Sequence, residues 1–259
     1  MTFFSDFRPG KRVGTTVSFS LKILKWGLLG LFLSACSSIY TVKVFLKNSF
    51  FVADSARICR SYERELAAYR IQNGQRVADI GFGYGHVLGA LALCHDSMTL
   101  YGVEVNKYSV LYGDSLMRRF AALKSKPQAV RWQLIRGKKK RCLLPDSSFD
   151  RIIIRETYHH FKRPGALMPD IIKKLAPDGL LCIQEEDPEK TYFSKNCKAY
   201  IMQRDELIQE LISYGLCLVS DDTLTTPFSS LPNWVDSLGM LRRRVYLFGR
   251  EGTCGHPSP

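Results

Sequence analysis

The stretch Val77–His86, VADIGFGYGH, decides the fold of this chain. It predicts a short buried strand, then a loop with glycine at every second position, then the start of a helix. Gly81, Gly83 and Gly85 remove three Cβ atoms where the strand turns into the helix, so a ligand can lie against bare backbone. A dinucleotide-binding fingerprint needs its third glycine three residues after the second, and His86 occupies that position. The pattern therefore argues against NAD and FAD.

An acid two residues before the first glycine completes the motif. Asp79 followed by the alternating glycines resembles the first motif of the class I S-adenosylmethionine-dependent methyltransferases, in which the loop passes beneath the amino-acid end of the cofactor. Glu104 lies near the end of the next predicted strand, where a carboxylate can accept hydrogen bonds from both ribose hydroxyls. The resemblance implies S-adenosylmethionine as the cofactor. The implied cofactor-binding residues are Asp79, Gly81, Gly83, Gly85 and Glu104.

Later segments follow in the family's order and indicate the fold. Residues 144–161 resemble the fourth strand with its loop, 175–183 the turn into the fifth strand, and 204–216 a helix, glycine turn and sixth strand. The predicted strands are 76–80, 98–105, 130–136, 149–155, 179–185, 216–221 and 243–249. The predicted helices are about 52–70, 84–94, 107–124, 164–175 and 203–213.

This alternation implies a parallel sheet with helices on both faces. The resemblance covers about residues 55–250 and implies a doubly wound α/β fold of seven strands. Their implied order is 3-2-1-4-5-7-6, with strand 7 antiparallel. Ligands of such sheets bind at the carboxyl ends of the strands, so 81–85, Glu104 and 156–160 are expected to converge.

The loop after strand 4 holds the candidate catalytic residues. Histidine titrates near neutral pH, so His159 or His160 could take a proton from an acceptor. A packing role for this His-His-Phe segment is the alternative. Tyr158 and His159 are candidate substrate-binding residues. Because a sulfonium already activates its methyl group, alignment and desolvation can supply most of the rate, and a base is needed only for a protonated nucleophile.

One departure from the family concerns the adenine end of the site. Relatives usually carry an acid in the loop after strand 3, where it can meet the adenine amino group, and Lys138 stands at that place. A lysine cannot accept a hydrogen bond from an amine. Three explanations stay open: backbone groups read the adenine, the alignment slips, or cofactor affinity is weakened.

The amino terminus carries a second signal. A basic leader precedes the apolar segment Trp26–Ala35, which is too short to span a bilayer but has the length of a secretory h-region. Leu33-Ser34-Ala35-Cys36 resembles the bacterial lipoprotein signal, in which the cysteine is lipidated and becomes the mature N-terminus. A buried helix or an uncleaved anchor is the alternative. The predicted organisation is a signal peptide (1–35), a lipidated tether (36–50), a methyltransferase-like domain (51–250) and a flexible tail (251–259).

These two signals set the functional expectation. We expect a membrane-tethered methyltransferase, on the periplasmic side of the envelope, that acts on a small-molecule or lipid-like acceptor. The alternative location is the cytoplasmic face of the inner membrane, where the cofactor is made. The alternative function is a lipoprotein of this fold that binds a ligand or partner without methyl transfer.

Charge and cysteine content limit the remaining classes. The chain has 259 residues and a net charge of +13, which suggests anionic partners or simply aids solubility. The basic run Lys138–Arg141 would suit an RNA methyltransferase, but no RNA-binding module accompanies it, so nucleic acid is not an expected partner. Apart from Cys36, seven scattered cysteines form no zinc spacing, so no metal is expected. Cys94 and Cys182 are predicted to be small core residues, and the chain is not expected to be a disulfide scaffold.

Overall fold

In the computed structural model of this protein, the described residues are 55–124, 130–224, 242–252 and 254. The compact unit that contains them runs from Phe51 to Pro259. The predicted signal peptide, Cys36, the tether and most of the predicted tail lie outside the described residues. No helix within the described ranges is long and apolar enough to cross a bilayer.

The described chain alternates strands and helices, as the sequence predicts. The helices are α1 (Ser55–Ala68), α2 (His86–Cys94), α3 (Lys107–Ala122), α4 (Pro164–Ile172) and α5 (Arg204–Ile212). The strands are β1 (Arg76–Ile80), β2 (Thr99–Glu104), β3 (Arg131–Arg136), β4 (Phe149–Arg155), β5 (Leu175–Glu186), β6 (Tyr192–Ser194), β7 (Ala199–Ile201), β8 (Leu216–Leu224) and β9 (Arg243–Arg250). A 3₁₀ turn, Tyr158–His160, follows β4.

Seven strands form one sheet in the order β3-β2-β1-β4-β5-β9-β8. The first five run parallel, and β9 lies antiparallel to both β5 and β8. With β8 and β9 as the sixth and seventh strands, this is the predicted order 3-2-1-4-5-7-6. The predicted doubly wound α/β fold is confirmed.

Two local features differ from the prediction. Strand β5 begins at Leu175 rather than 179, because Leu175 pairs with Phe149 before the register shifts and Leu180 pairs with Arg151. Gly179 lies inside this irregularity, and a Cβ there would be 2.4 Å from the Phe149 carbonyl oxygen. The hairpin β6–β7 was not predicted, because its three-residue strands are too short for alternation to register.

The core consists of two clusters of buried apolar side chains. Helix α2 is buried along most of its length, and a Cβ on Gly89 would lie 2.6 Å from the Phe120 ring of α3. The absence of that Cβ lets the two helices pack closely, which holds the glycine loop before α2 in place.

The reading of the cysteines was wrong in part. Cys182 is fully buried in the core, as predicted. Cys94 instead forms a disulfide with Cys59, which joins α2 to α1, and Cys217 forms a second disulfide with Cys254. The partners are separated by 35 and 37 residues, so no short spacing in the sequence indicated the pairs.

Candidate functional site

A cavity of about 880 Å³ opens at the carboxyl ends of β1, β2 and β4. This is the edge of the sheet where ligands of doubly wound folds bind. The predicted site residues that line it are Asp79, Gly81, Gly83, Glu104 and His160. Glu156 and Thr157, from the loop after β4, also line it. The convergence expected from the sequence therefore occurs for these residues, but Gly85, Tyr158 and His159 are not among those that line this cavity.

The glycine loop needs its glycines for different reasons. All three have positive φ: +79° at Gly81, +56° at Gly83 and +83° at Gly85. A Cβ on Gly81 would collide with Thr157, whereas a Cβ on Gly83 would meet no protein atom within 4 Å. Gly85 is the N-cap of α2 and is not among the cavity-lining residues. Gly83 is thus where bare backbone faces the cavity.

Glu104 connects the second strand to the glycine loop. Its Oε2 accepts a hydrogen bond from the Gly83 N–H at 3.2 Å. Its Oε1 accepts from the N–H groups of Val105 and Asn106, at 2.7 and 3.0 Å. These bonds hold the carboxylate at the cavity wall. A carboxylate has about four acceptor positions, so capacity remains for a ligand hydroxyl.

Asp79 is a buried acid at the base of the cavity, with 2% of its surface exposed. Its Oδ1 has no hydrogen-bond partner among the described residues. Burial raises the pKa of Asp79 to about 7, although the positive charge of Arg155 opposes the shift. Arg155 is itself held by Glu65 of α1, with Nε 2.7 Å from Oε1. A buried acid with an unpaired oxygen is a site for a cationic or hydrogen-donating ligand group.

The loop after β4 contacts the glycine loop directly. The Thr157 hydroxyl donates to the Arg155 carbonyl at 2.9 Å and lies 3.3 Å from the Gly81 carbonyl. Glu156 has φ +48°, a conformation that costs energy for a residue with a side chain. Its carboxylate pairs with Arg243 of β9. Arg243 and Arg155 were not predicted as site residues. Each is a charged residue at one end of an apolar strand, and that pattern could have indicated them in the sequence.

The two histidines occupy different positions. His160 is exposed and lines the cavity. The side chain of His159 is 9% exposed, is not among the cavity-lining residues, and has Nδ1 2.6 Å from Glu185 Oε2. Burial acts to lower the pKa of His159, but the hydrogen bond and charge of Glu185 outweigh it and raise the pKa to about 9. The pKa of His160 is lowered, first by burial and then by the charge of His159.

Tyr158 is buried at the start of the 3₁₀ turn. Its hydroxyl donates to Glu210 of α5 at 2.9 Å, and the residue lines a second cavity of about 540 Å³ rather than the first. His159 lines the second cavity too, and His160 lines both. The candidate substrate residues Tyr158 and His159 therefore lie beside the second cavity.

The rim of the first cavity is basic. Lys138 lies on it, next to Lys139 and Lys140, and Lys162 and Arg163 line it as well. All five side chains belong to exposed residues. The Lys138 and Arg141 backbones exchange two hydrogen bonds that close this loop. The less exposed lining residues thus include the acids Asp79, Glu104 and Glu156 together with Arg155, whereas the exposed rim is cationic.

Comparison with known proteins agrees with this geometry. Residues 78–183 match the model of a family described as "Methyltransferase domain". No curated protein matches the chain by sequence.

Solved structures resemble the fold at low sequence identity. An S-adenosylmethionine-dependent methyltransferase from Aquifex aeolicus is 18% identical, with a TM-score of 0.56 over 75% of this chain and 98% of that chain. An O-methyltransferase of a polyketide synthase from Brevibacillus brevis, in complex with S-adenosylhomocysteine, is 13% identical, with a TM-score of 0.52 over 74% of this chain and 72% of its own. The [4+2]-cyclase SpnF is 12% identical, with a TM-score of 0.57 over 74% of this chain and 81% of its own.

The residues present fit S-adenosylmethionine. Gly83 leaves open space where a side chain would stand, Asp79 has an unpaired buried oxygen, and Glu104 keeps acceptor capacity at the wall. The cavity volume lies in the range of small-molecule sites. Residues 78–183 thus match a methyltransferase domain family, the fold is the one seen in these methyltransferase structures, and the cofactor that the site residues fit is S-adenosylmethionine.

Proposed function

We propose that this protein transfers a methyl group from S-adenosylmethionine to a small-molecule or lipid-like acceptor that carries an anionic group. We also propose that a lipid on Cys36 anchors the protein on the periplasmic side of the envelope. The observation that carries the proposal is the distribution of charge in the cavity. Acids at its base suit a cationic cofactor, and the cationic rim suits a negatively charged acceptor.

The chain's own residues divide the work of binding. Gly83 leaves room for the cofactor against the backbone, and Glu104 accepts a hydrogen bond from a ribose hydroxyl at its remaining acceptor position. Asp79, ionised, neutralises a positive charge of its amino-acid end. When bound, S-adenosylmethionine supplies a methyl group that its positively charged sulfur has already activated.

The residues of the rim and of the loop after β4 bind the acceptor. Lys138, Lys139 and Lys162 attract the anionic group and orient the acceptor, which is how a site gains rate without acid–base chemistry. Among the candidate bases, His160 is the one whose residue lines the cavity. We propose that it accepts a proton when the acceptor arrives protonated.

The two disulfides support an exported domain. Disulfides persist in oxidising compartments such as the periplasm and are rare in the cytosol. Cys59–Cys94 and Cys217–Cys254 therefore favour the periplasmic side over the cytoplasmic face of the inner membrane. The mass of the mature N-terminus tests this: a lipid-modified Cys36 is expected, and an intact Met1 would overturn the anchor.

Methyl transfer is tested with the full chain in detergent, S-adenosylmethionine labelled on its methyl group, and a membrane extract as acceptor source. We expect label in the extract, concentrated in its anionic fraction and absent with a Gly83→Arg control. Label in a neutral fraction alone would reject the anionic acceptor but retain methyl transfer.

A second candidate function is cofactor or ligand binding without transfer. It is favoured by Lys138 on the rim, where relatives carry an acid, and by disulfides that argue for a compartment in which the cofactor is not made. The same fold in the [4+2]-cyclase SpnF shows that the fold alone does not establish transfer. Calorimetric binding of the cofactor with no labelled product from any fraction would support this candidate.

A further inference from the structure

The second cavity contains a cluster of three potential metal ligands. One ligand atom from each of His159, His160 and Cys197 lies within 4.8 Å of the others. Cys197 comes from the turn of the β6–β7 hairpin, and the histidines from the 3₁₀ turn after β4. Strand β7 packs against that turn. The cluster is therefore made by tertiary contact, which explains why no zinc spacing is visible in the sequence.

His159 is already oriented as a metal ligand would be. Glu185 accepts the hydrogen bond of Nδ1–H at 2.6 Å, so the nitrogen whose proton a metal would displace, and whose lone pair would bind it, is Nε2. That Nε2 atom is buried, and the Cys197 side chain interacts with the same imidazole. A carboxylate behind a histidine is the common arrangement in metal sites, where it sets the tautomer and the ring orientation.

The other two ligands are accessible. His160 is exposed, and its ring centroid lies 4.1 Å from that of His159. Cys197 is half-buried and is one of three free cysteines among the described residues. Its backbone N–H donates to the Ser194 hydroxyl at 3.3 Å, which fixes the turn that presents the thiol.

The chemistry of the donors selects the metal. One thiolate and two imidazoles suit Zn²⁺, whose bonds of about 2.3 Å to sulfur and about 2.0 Å to nitrogen require donor atoms roughly 3.5 Å apart in a tetrahedron. The present separations, up to 4.8 Å, need a closure of about 1 Å, which rotation of the exposed His160 and of the Cys197 side chain can supply. The three ligand atoms of the cluster are nitrogen and sulfur, so hard cations that prefer oxygen ligands, such as Mg²⁺ and Ca²⁺, are disfavoured.

We infer that His159, His160 and Cys197 bind a Zn²⁺ ion, with Glu185 as the positioning residue behind His159. Three protein ligands leave a fourth coordination position for water or an exchangeable ligand. Because His160 lines both cavities, the ion would connect the hairpin to the wall of the cofactor cavity. The inference does not depend on methyl transfer. A zinc-bound His160 has no lone pair left for a proton, so the ion would replace the role proposed above for His160 as a base.

The test uses the full chain in detergent, stripped of metal under anaerobic conditions without a thiol reductant, so that the disulfides stay intact. Co²⁺ is added as the spectroscopic probe and then displaced with Zn²⁺. We expect one Co²⁺ per chain, a thiolate-to-cobalt charge-transfer band, visible bands of tetrahedral intensity, and loss of all bands when one equivalent of Zn²⁺ is added.

The variants separate a bound ion from a fold defect. Cys197→Ser should remove the charge-transfer band and weaken binding at least about 100-fold, and His160→Asn, at an exposed position, should weaken it at least about tenfold. Glu185→Gln should keep the band but weaken binding about 10- to 100-fold, the usual effect of losing a partner behind a ligand. Cys142→Ser, which removes another free thiol, is the matched control and should bind like the wild type.

Two results would overturn the inference. One is a folded wild-type chain that binds no stoichiometric Co²⁺. The other is a charge-transfer band that survives in Cys197→Ser or disappears in Cys142→Ser. If Cys197→Ser does not fold, His160→Asn decides the question, and unchanged binding in that variant counts against the site.

Discussion

Thr157 fills the space that a side chain on Gly81 would need. A Cβ on Gly81 would lie 2.2 Å from Thr157 Cγ2 and 2.8 Å from its Oγ1, whereas a Cβ on Gly83 would meet nothing within 4 Å. The two glycines of one motif therefore serve different purposes. Gly81 lets two loops of the fold touch, and Gly83 leaves room for a ligand.

Alanine substitutions should separate these roles. Gly81→Ala is expected to lower the free energy of unfolding by about 2 kcal/mol or more, through positive φ and the clash with Thr157. Gly83→Ala should cost about 1 kcal/mol for its φ alone and should weaken cofactor binding at least about tenfold. Denaturant unfolding and calorimetry measure the two effects. Equal stability losses in both variants would contradict the assignment.

Cofactor affinity should depend on pH through Asp79. The folded pKa of about 7 lies above the ordinary value of 3.8, so binding of a cation near this carboxyl favours loss of its proton. Affinity should rise close to tenfold per pH unit below 7 and level off above it. Calorimetry between pH 5.5 and 8, in two buffers of different ionisation enthalpy, measures both the affinity and the released proton. An Asp79→Asn variant should bind more weakly, with no such slope.

The same shift has a consequence for the free protein. Between pH 3.8 and about 7 the folded chain keeps a proton on Asp79 that the unfolded chain has released, so this group's contribution makes stability fall as pH rises through that window. In Asp79→Asn that contribution is absent. Thermal unfolding of the two proteins without cofactor at pH 5 and pH 8 should show a smaller loss at pH 8 for the variant. If both proteins lose the same stability between pH 5 and pH 8, Asp79 has its ordinary pKa and the expected shift is absent.

Lys138 provides a test of the adenine end. An acid there could accept a hydrogen bond that lysine cannot, so Lys138→Asp should tighten cofactor binding by about 1 kcal/mol, roughly fivefold. Lys140→Asp, a neighbouring change of equal charge on the same rim, is the control and should have less effect. Equal effects of both variants would mean that overall charge, rather than adenine recognition, explains the change.

The disulfide between α1 and α2 should stabilise the domain. It closes a loop of 35 residues, and loop-closure entropy predicts a contribution of about 4 kcal/mol. A double Cys59→Ala, Cys94→Ala variant should unfold at a correspondingly lower denaturant concentration. Mass spectrometry without reduction should find both cross-links in the wild type. Cys182→Ala, in the core but unpaired, controls for loss of buried sulfur. A wild type without cross-links would remove the support for an oxidising compartment.

The sequence by itself determined the frame of this protein. The period of its apolar residues and the position of its glycines were enough for the alternating strands and helices, and the family resemblance added the strand order. Asp79 and Glu104 were identifiable because each ends a buried strand, and parallel strands bring their carboxyl ends to one edge. Those signals are local, and a local pattern can be recognised directly in the linear sequence.

Only the tertiary structure decided which distant side chains meet. Arg155 pairs with Glu65 across 90 residues, and Cys94 with Cys59 across 35. The contacts of His159 with Glu185, and the approach of Cys197 from a short hairpin, likewise depend on loops whose geometry has no periodic signature. The physical reason is that these groups interact only within a few ångströms. The number of residues between two groups in the sequence does not predict their distance in the folded protein.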